Sequence, residues 1–175
     1  MAEPGERSDA TVAEWRAASE ALDAERAAAC LAGDAVLISP LTARFTFQGR
    51  DQVADVLAAA FEVIQQVRFH TEVGDGQTRA LFYHGACDGQ AFEEAQLLRL
   101  DDGGLISELT FFGRPLPGVT AVMRRIGPAI LRRQGRGRFA SVIGLAAGPL
   151  HGLTSSGERY LMPLAAPGRA HTAPR

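Results

Sequence analysis

The chain has 175 residues, 46% of them hydrophobic and 22% charged, the usual mixture of a globular domain with a real core and room for an extension. A formal net charge of −2 hides an uneven split: residues 1–118 carry 19 acids against 9 arginines, residues 119–175 carry 9 arginines and the single acid Glu158, and no lysine occurs anywhere. The acidic start "MAEPGERSDATVAEW" lacks the apolar run of a secretory signal, and the longest apolar stretch, "FASVIGLAAGPL", is too short to span a bilayer.

Only two cysteines occur, Cys30 and Cys87. They are expected to be buried free thiols, which suits a cytoplasmic location. With no CxxC and no His/Cys cluster, no metal site is expected, and no cofactor.

In chain order, residues 1–8 read as a flexible N-terminus. Residues 9–32 read as helical: Ser8 or Asp9 can cap the start, and Val12, Trp15 and Leu22 share one face. Asp23 can open a second short helix that Gly33 ends. "AVLISP" is a short strand stopped by Pro40, and "ARFTFQG", with Phe45 and Phe47 alternating, is another. "RDQVADVLAAAFEVIQQ" (50–66) carries Val53, Val56, Leu57, Ala60, Phe61 and Ile64 on one helical stripe, with Asp51 at the positive end.

From residue 67 the period changes to two. Alternating runs are separated by Asp-Gly at 75–76, Asp-Gly at 88–89 and "DDGG" at 101–104, which predicts a four-stranded antiparallel meander. A two-residue loop at Asp88-Gly89 sets Cys87 opposite Gln90, His84 opposite Glu93 and, on the other face, Tyr83 opposite Glu94. The fold class is therefore α+β, with helices on one face of a curved, mainly antiparallel sheet. Residues 119–175 form a basic extension. A short helix over "RPLPGVTAVMRR" is expected to break at Gly127-Pro128 and resume over "AILRRQ"; a partial helix follows over 138–147, and then a disordered end.

The segments "ALDAERAAACLAGDAVLISPL", "RFTFQGRDQVADVLAAAF" and "LLRLDDGGLISELTFF", in this order, resemble the SnoaL-like branch of the nuclear transport factor 2-like superfamily over roughly residues 10–118. The resemblance implies a cone-shaped half-barrel over residues 9–118, an internal pocket and a homodimer formed through the outer sheet face. That superfamily holds ketosteroid isomerases, polyketide cyclases, epoxide hydrolases and non-catalytic binding proteins, so fold alone does not give function. Where polyketide cyclase relatives carry a histidine and an acid on the last strand, this chain has Leu109 and Phe111. Where epoxide hydrolase relatives carry an arginine and an acid on an earlier strand, it has Ala80 and Phe82.

The leading expectation is therefore a pocket for a small hydrophobic molecule, walled by Trp15, Phe45, Phe61, Phe82, Leu97, Leu109 and Phe111 with Arg114 at its mouth, and without a catalytic acid. The alternative is an isomerase, cyclase or hydrolase in which His84 is a general base oriented by Glu93; against it stands an exposed cross-strand ion pair. Tyr83 with Glu94 is the equivalent pair on the opposite face. His70 is expected to face solvent. Arg114 either holds an anion or pairs with Glu108. "RRIGPAILRRQGRGR" (124–138), with six arginines, fits an anionic membrane surface or the chain's own acidic body; without interleaved aromatics, nucleic acid is not expected.

Overall fold

Asp88 and Gly89 adopt φ of 51° and 75°, the two left-handed positions that a two-residue hairpin loop requires. Around this loop Cys87 pairs with Gln90, His84 with Glu93 and Tyr83 with Glu94, the register that the alternation predicts. In the computed structural model, which describes residues 4–166, this hairpin is part of a six-stranded sheet.

The elements run α1 (Pro4–Glu20), α2 (Ala24–Ala29), β1 (Leu31–Ile38), β2 (Phe47–Gln48), α3 (Arg50–Phe61), β3 (Gln65–Asp75), β4 (Thr78–Cys87), β5 (Gln90–Leu100), β6 (Ile106–Arg114), α4 (Leu116–Arg133) and α5 (Gly137–Ser156). A π-helical turn (Gly157–Leu161) and a 3₁₀ turn (Met162–Ala165) end the described chain. The strand order is β2-β1-β6-β5-β4-β3, open at both edges. β1 runs parallel to β6 and every other pairing is antiparallel.

Helices α1 to α3 bury their apolar faces on one side of the sheet. Val12, Trp15, Leu57, Leu81, Leu98 and Leu109 belong to that core and are almost fully buried. A second cluster, with Ile64, Tyr83, Cys87, Phe92 and Ala121, lies between β3–β5 and α4. Both cysteines are buried and unbridged, and burial pushes each thiol up to about 11, so neither is a nucleophile at neutral pH. No helix among the described residues is long and apolar enough to cross a membrane.

Several local expectations are corrected. α1 begins at Pro4 rather than Asp9, and Ser8 is buried. β1 starts at Leu31, ahead of Gly33, and the strand expected over "ARFTFQG" shrinks to Phe47–Gln48, with Phe45 left 57% exposed. α4 runs through Pro128 without a break. Proline removes one backbone donor there, but the packing of Ala121, Ala129 and the half-buried Ile130 holds the helix together. α5 extends well beyond 138–147. Residues 1–3 of the expected flexible start and residues 167–175 of the expected disordered end lie outside the described residues.

The charge asymmetry has a local outlet in α4. Arg124 and Arg125 pair with Asp88 at the hairpin tip, and Arg133 reaches Asp55 on α3 and Glu62 at its C-terminal end. These pairs are partly exposed and individually weak, so the seating of α4 rests mainly on close packing. At Gly118 a Cβ would come within 2.6 Å of the Phe92 Cβ and 2.7 Å of the Ala91 carbonyl oxygen. Gly118→Ala is therefore expected to lower stability by about 1–3 kcal/mol, although glycine to alanine ordinarily favours a helix. Gly152→Ala, where nothing lies within 4 Å, is the control and should be neutral or stabilising. Urea denaturation of both variants checks this; a Gly118→Ala protein as stable as the wild type would refute the close seating of α4 on β5.

Candidate functional site

Between the two apolar clusters the sheet and helices leave a narrow cavity, with about 70 Å³ open to the centres of water molecules, enough for several waters or a small organic group. α1 supplies Trp15 and Ser19, α3 supplies Phe61, the strands supply Tyr83, Glu94, Gln96 and Phe111, and α4 closes the far side with Val122 and Ile126. The walls are mostly aliphatic and aromatic. The basic extension thus contributes to the container as well as to the surface charge.

One polar chain crosses this greasy wall. The Trp15 indole N–H donates to Gln96 Oε1 at 2.9 Å, which turns the Gln96 amide nitrogen toward Glu94, to whose carboxylate it donates. The Tyr83 hydroxyl donates to Glu94 Oε1 at 2.8 Å. Burial pushes the Glu94 carboxyl up to about 7, even though the hydrogen bonds from Tyr83 and Gln96 pull the other way. Burial, reinforced by the neighbouring Glu94 carboxylate, holds the Tyr83 phenol well above its ordinary value, so it stays a neutral donor. Ser19 Oγ, in a residue only 2% exposed, lines the same cavity and has no hydrogen-bond partner among the described residues. A carboxyl poised near neutrality and an unused hydroxyl in an apolar hollow can move a proton on a bound molecule and hold its oxygen.

The expectation of a pocket without an acid is therefore corrected by Glu94. His84 and Glu93 stand on the opposite face of the sheet, outside the cavity, because strand residues of opposite parity point to opposite sides. Phe82 lies on that outer face with Glu93, and Leu97 shares its parity. Trp15, Phe61 and Phe111 do line the cavity; Leu109 is packed in the core beside it, and Phe45 stacks edge-on against Phe47 in an exposed loop. Arg114 ion-pairs with Glu93 on the outer face rather than with Glu108, which meets Arg99.

Outer-face contacts are dense. His70 Nε2 lies 3.2 Å from Glu93 Oε1, and the His70 and His84 rings stack with centroids 4.4 Å apart. Partial burial pushes the Glu93 carboxyl up, but the combined pull of Arg114, His84 and His70 leaves it below the usual carboxylate value.

Ser19 and Gln96 were not singled out from the sequence, and neither were Val122 and Ile126. The available signal was parity. Phe92, Leu98 and Leu100 mark the inward face of β5, and Glu94 and Gln96 fall in the same period-two set.

The family model described as a SnoaL-like domain matches residues 12–109. No curated protein matches the chain. Among solved structures, the fold is similar to that of a steroid delta-isomerase from Pseudomonas aeruginosa, with 24% identity, 74% of this chain and 92% of that one covered, and a TM-score of 0.64. It is also similar to a bacterial protein with a cystatin-like fold from Silicibacter pomeroyi, with 27% identity, coverage of 75% and 90%, and a TM-score of 0.64. A third, from Catenulispora acidiphila, has a ketosteroid isomerase-like fold and was solved in complex with trimethylamine; identity is 23%, coverage 68% and 94%, and the TM-score 0.51.

Glu94 gives a stability signature independent of any ligand. Its folded value of about 7 lies above the ordinary 4.5, so between these values the folded chain holds more protons than the unfolded one. That contribution is fully present in acid and is lost as pH rises through 7. Relative to Glu94→Gln, the wild type should lose on the order of 3 kcal/mol between pH 4 and pH 8. Denaturation of both proteins across that range measures it, and a constant difference would show that the carboxyl titrates normally.

Proposed function

This chain belongs to the SnoaL-like domain family, and within it we propose that the cavity takes a small, largely apolar molecule and moves a proton on it through Glu94. The reaction class is proton abstraction next to a carbonyl and return of the proton at another carbon, an isomerisation that needs no cofactor. The observation that carries this reading is a carboxyl group pushed up to about 7 inside an apolar cavity, with donors on both sides that fix its position. The ionised carboxylate takes the proton. Ser19 Oγ, without a partner among the described residues, donates a hydrogen bond to the carbonyl oxygen as negative charge develops there. Tyr83 positions Glu94 and restrains its basicity. Similarity in fold to a steroid delta-isomerase is consistent with this class of reaction and adds nothing on substrate identity.

A binding role without turnover is the second reading, and one observation favours it: among the cavity-lining residues Glu94 is the only carboxylate, and no arginine, lysine or histidine joins it. A homodimer through the outer face belongs to either reading. Phe112, 57% exposed beside Phe82 and Ala95, supports it. Membrane docking through residues 124–138 draws less support, because Arg124, Arg125 and Arg133 are engaged with the chain's own acids.

The test is conversion of a small β,γ-unsaturated ketone to its conjugated isomer, followed by ultraviolet absorbance. The rate should rise with pH through about 7 and then level off. Glu94→Gln should lose about 10²–10⁴-fold. Tyr83→Phe removes a hydrogen bond that favours the ionised form, so its pH midpoint should move upward. Turnover that Glu94→Gln leaves intact would refute the proton-transfer role. Ligand-induced thermal stabilisation without turnover would leave the binding role alone.

A further inference from the structure

On the face of the sheet turned away from the cavity, three potential ligand groups converge from three adjacent strands. One atom each from His70 on β3, His84 on β4 and Glu93 on β5 lie within 4.8 Å of one another. His84 and Glu93 are directly opposed in the β4–β5 pairing. His70 joins them because of an irregularity in β3: Phe69 pairs with Tyr83 and Thr71 with Phe82, so two residues of β3 oppose one step of β4. His70 is the extra residue at this irregularity, and its ring stacks on that of His84. Bulges re-aim side chains in this way, and they are over-represented beside functional sites.

We propose that His70, His84 and Glu93 form a binding site for a divalent transition-metal ion of the zinc, cobalt and nickel class, separate from the cavity. Two imidazoles and a carboxylate suit such ions. The separation of His70 Nε2 and Glu93 Oε1, 3.2 Å, matches the edge of a tetrahedron whose metal–ligand bonds are about 2.0–2.1 Å, roughly 3.3 Å. His84 completes the set when it turns out of its stack on His70.

Two of the ligands are also held from outside. Thr71 Oγ1 sits 2.9 Å from His70 Nδ1, which leaves Nε2 directed at the carboxylate. Arg114 occupies Glu93 Oε2 and leaves Oε1 turned inward toward the histidines. His84 is instead stacked on His70, with the ring planes 23° apart, and turns out of that stack to join the set. Outer contacts of this kind orient metal ligands and fix the histidine tautomer. Glu93 also stands between two shallow surface depressions; the one at Phe82 and Phe112 belongs to the face proposed for the homodimer, and the one bordered by His84, Ala91 and Pro115 gives an ion its route in.

The experiment uses untagged, full-length protein, stripped with a chelator and titrated with zinc chloride near neutral pH by calorimetry. One ion per chain is expected, and His70→Ala, His84→Ala and Glu93→Ala should each weaken binding at least tenfold. Cobalt(II) provides a second readout: the ring-proton resonances of His70 and His84 should show large paramagnetic shifts. Wild-type affinity no greater than that of the His70→Ala/His84→Ala double variant would overturn the site. A stoichiometry of half an ion per chain or less, or unshifted ring protons, would overturn it as well. These residues lie outside the core and the cavity, so thermal melts of the variants should match the wild type, and the result does not depend on the cavity's chemistry.

Discussion

A sheet with helices on only one side has two unlike faces, and successive residues of a strand alternate between them. Everything functional in this molecule follows from that constraint. On β4 and β5 the two faces carry the same kinds of groups, one carboxylate each and either a tyrosine or a histidine opposite it. Helices α1, α3 and α4 cover one face and leave the other open. Tyr83 and Glu94 therefore sit in a greasy hollow, while His84 and Glu93, one residue away along the chain, stand on the open surface. Identical chemistry acquires different properties. Burial raises the inward carboxyl, whereas neighbouring arginine and histidines leave the outward one below its usual value.

The inward carboxyl survives because it is neither fully solvated nor left unpartnered. An ionised carboxylate without partners in an apolar site would be prohibitively costly, and one saturated with donors would remain ionised at every relevant pH. Glu94 has two donors, Tyr83 and Gln96, against strong desolvation, and the balance falls near neutrality. Gln96 can donate in the required direction only because Trp15 occupies its carbonyl. An indole on the first helix thus fixes the orientation of an amide on β5 and, through it, the acid at the heart of the cavity. The role of Trp15 is larger than filling space.

α4 shows how a basic extension becomes part of an acidic domain. Its arginines reach Asp88, Asp55 and Glu62, which draws together the charge excess of each half of the chain. Those ion pairs are individually weak; the contact at Gly118 and the apolar residues Val122 and Ile126 seat the helix and decide how tightly it closes the cavity. Pro128 lies inside the helix and is tolerated because tertiary contacts hold the segment on both sides of it.

Much of the framework was determined by sequence alone. Three glycine-bearing turns between alternating runs define the meander and the pairing of its central hairpin, because a two-residue loop needs left-handed backbone and leaves no freedom of register. The stripe from Val53 to Phe61 defines the third helix in the same local way. Which face points inward was not local information: it depends on where distant helices pack, and a slip of one residue across the "DDGG" loop exchanges the faces of neighbouring strands. For that reason the sequence groups Phe82 and Leu97, and in the alternative reading the pair His84 and Glu93, with Phe111, from which the fold separates them. Tertiary structure alone decided the rest. It used α4 as a wall, enclosed Glu94 in a greasy hollow and so moved its titration, left Ser19 without a partner among the described residues, and brought His70 beside His84, because burial and convergence are properties of packed elements and not of the strand that carries a residue.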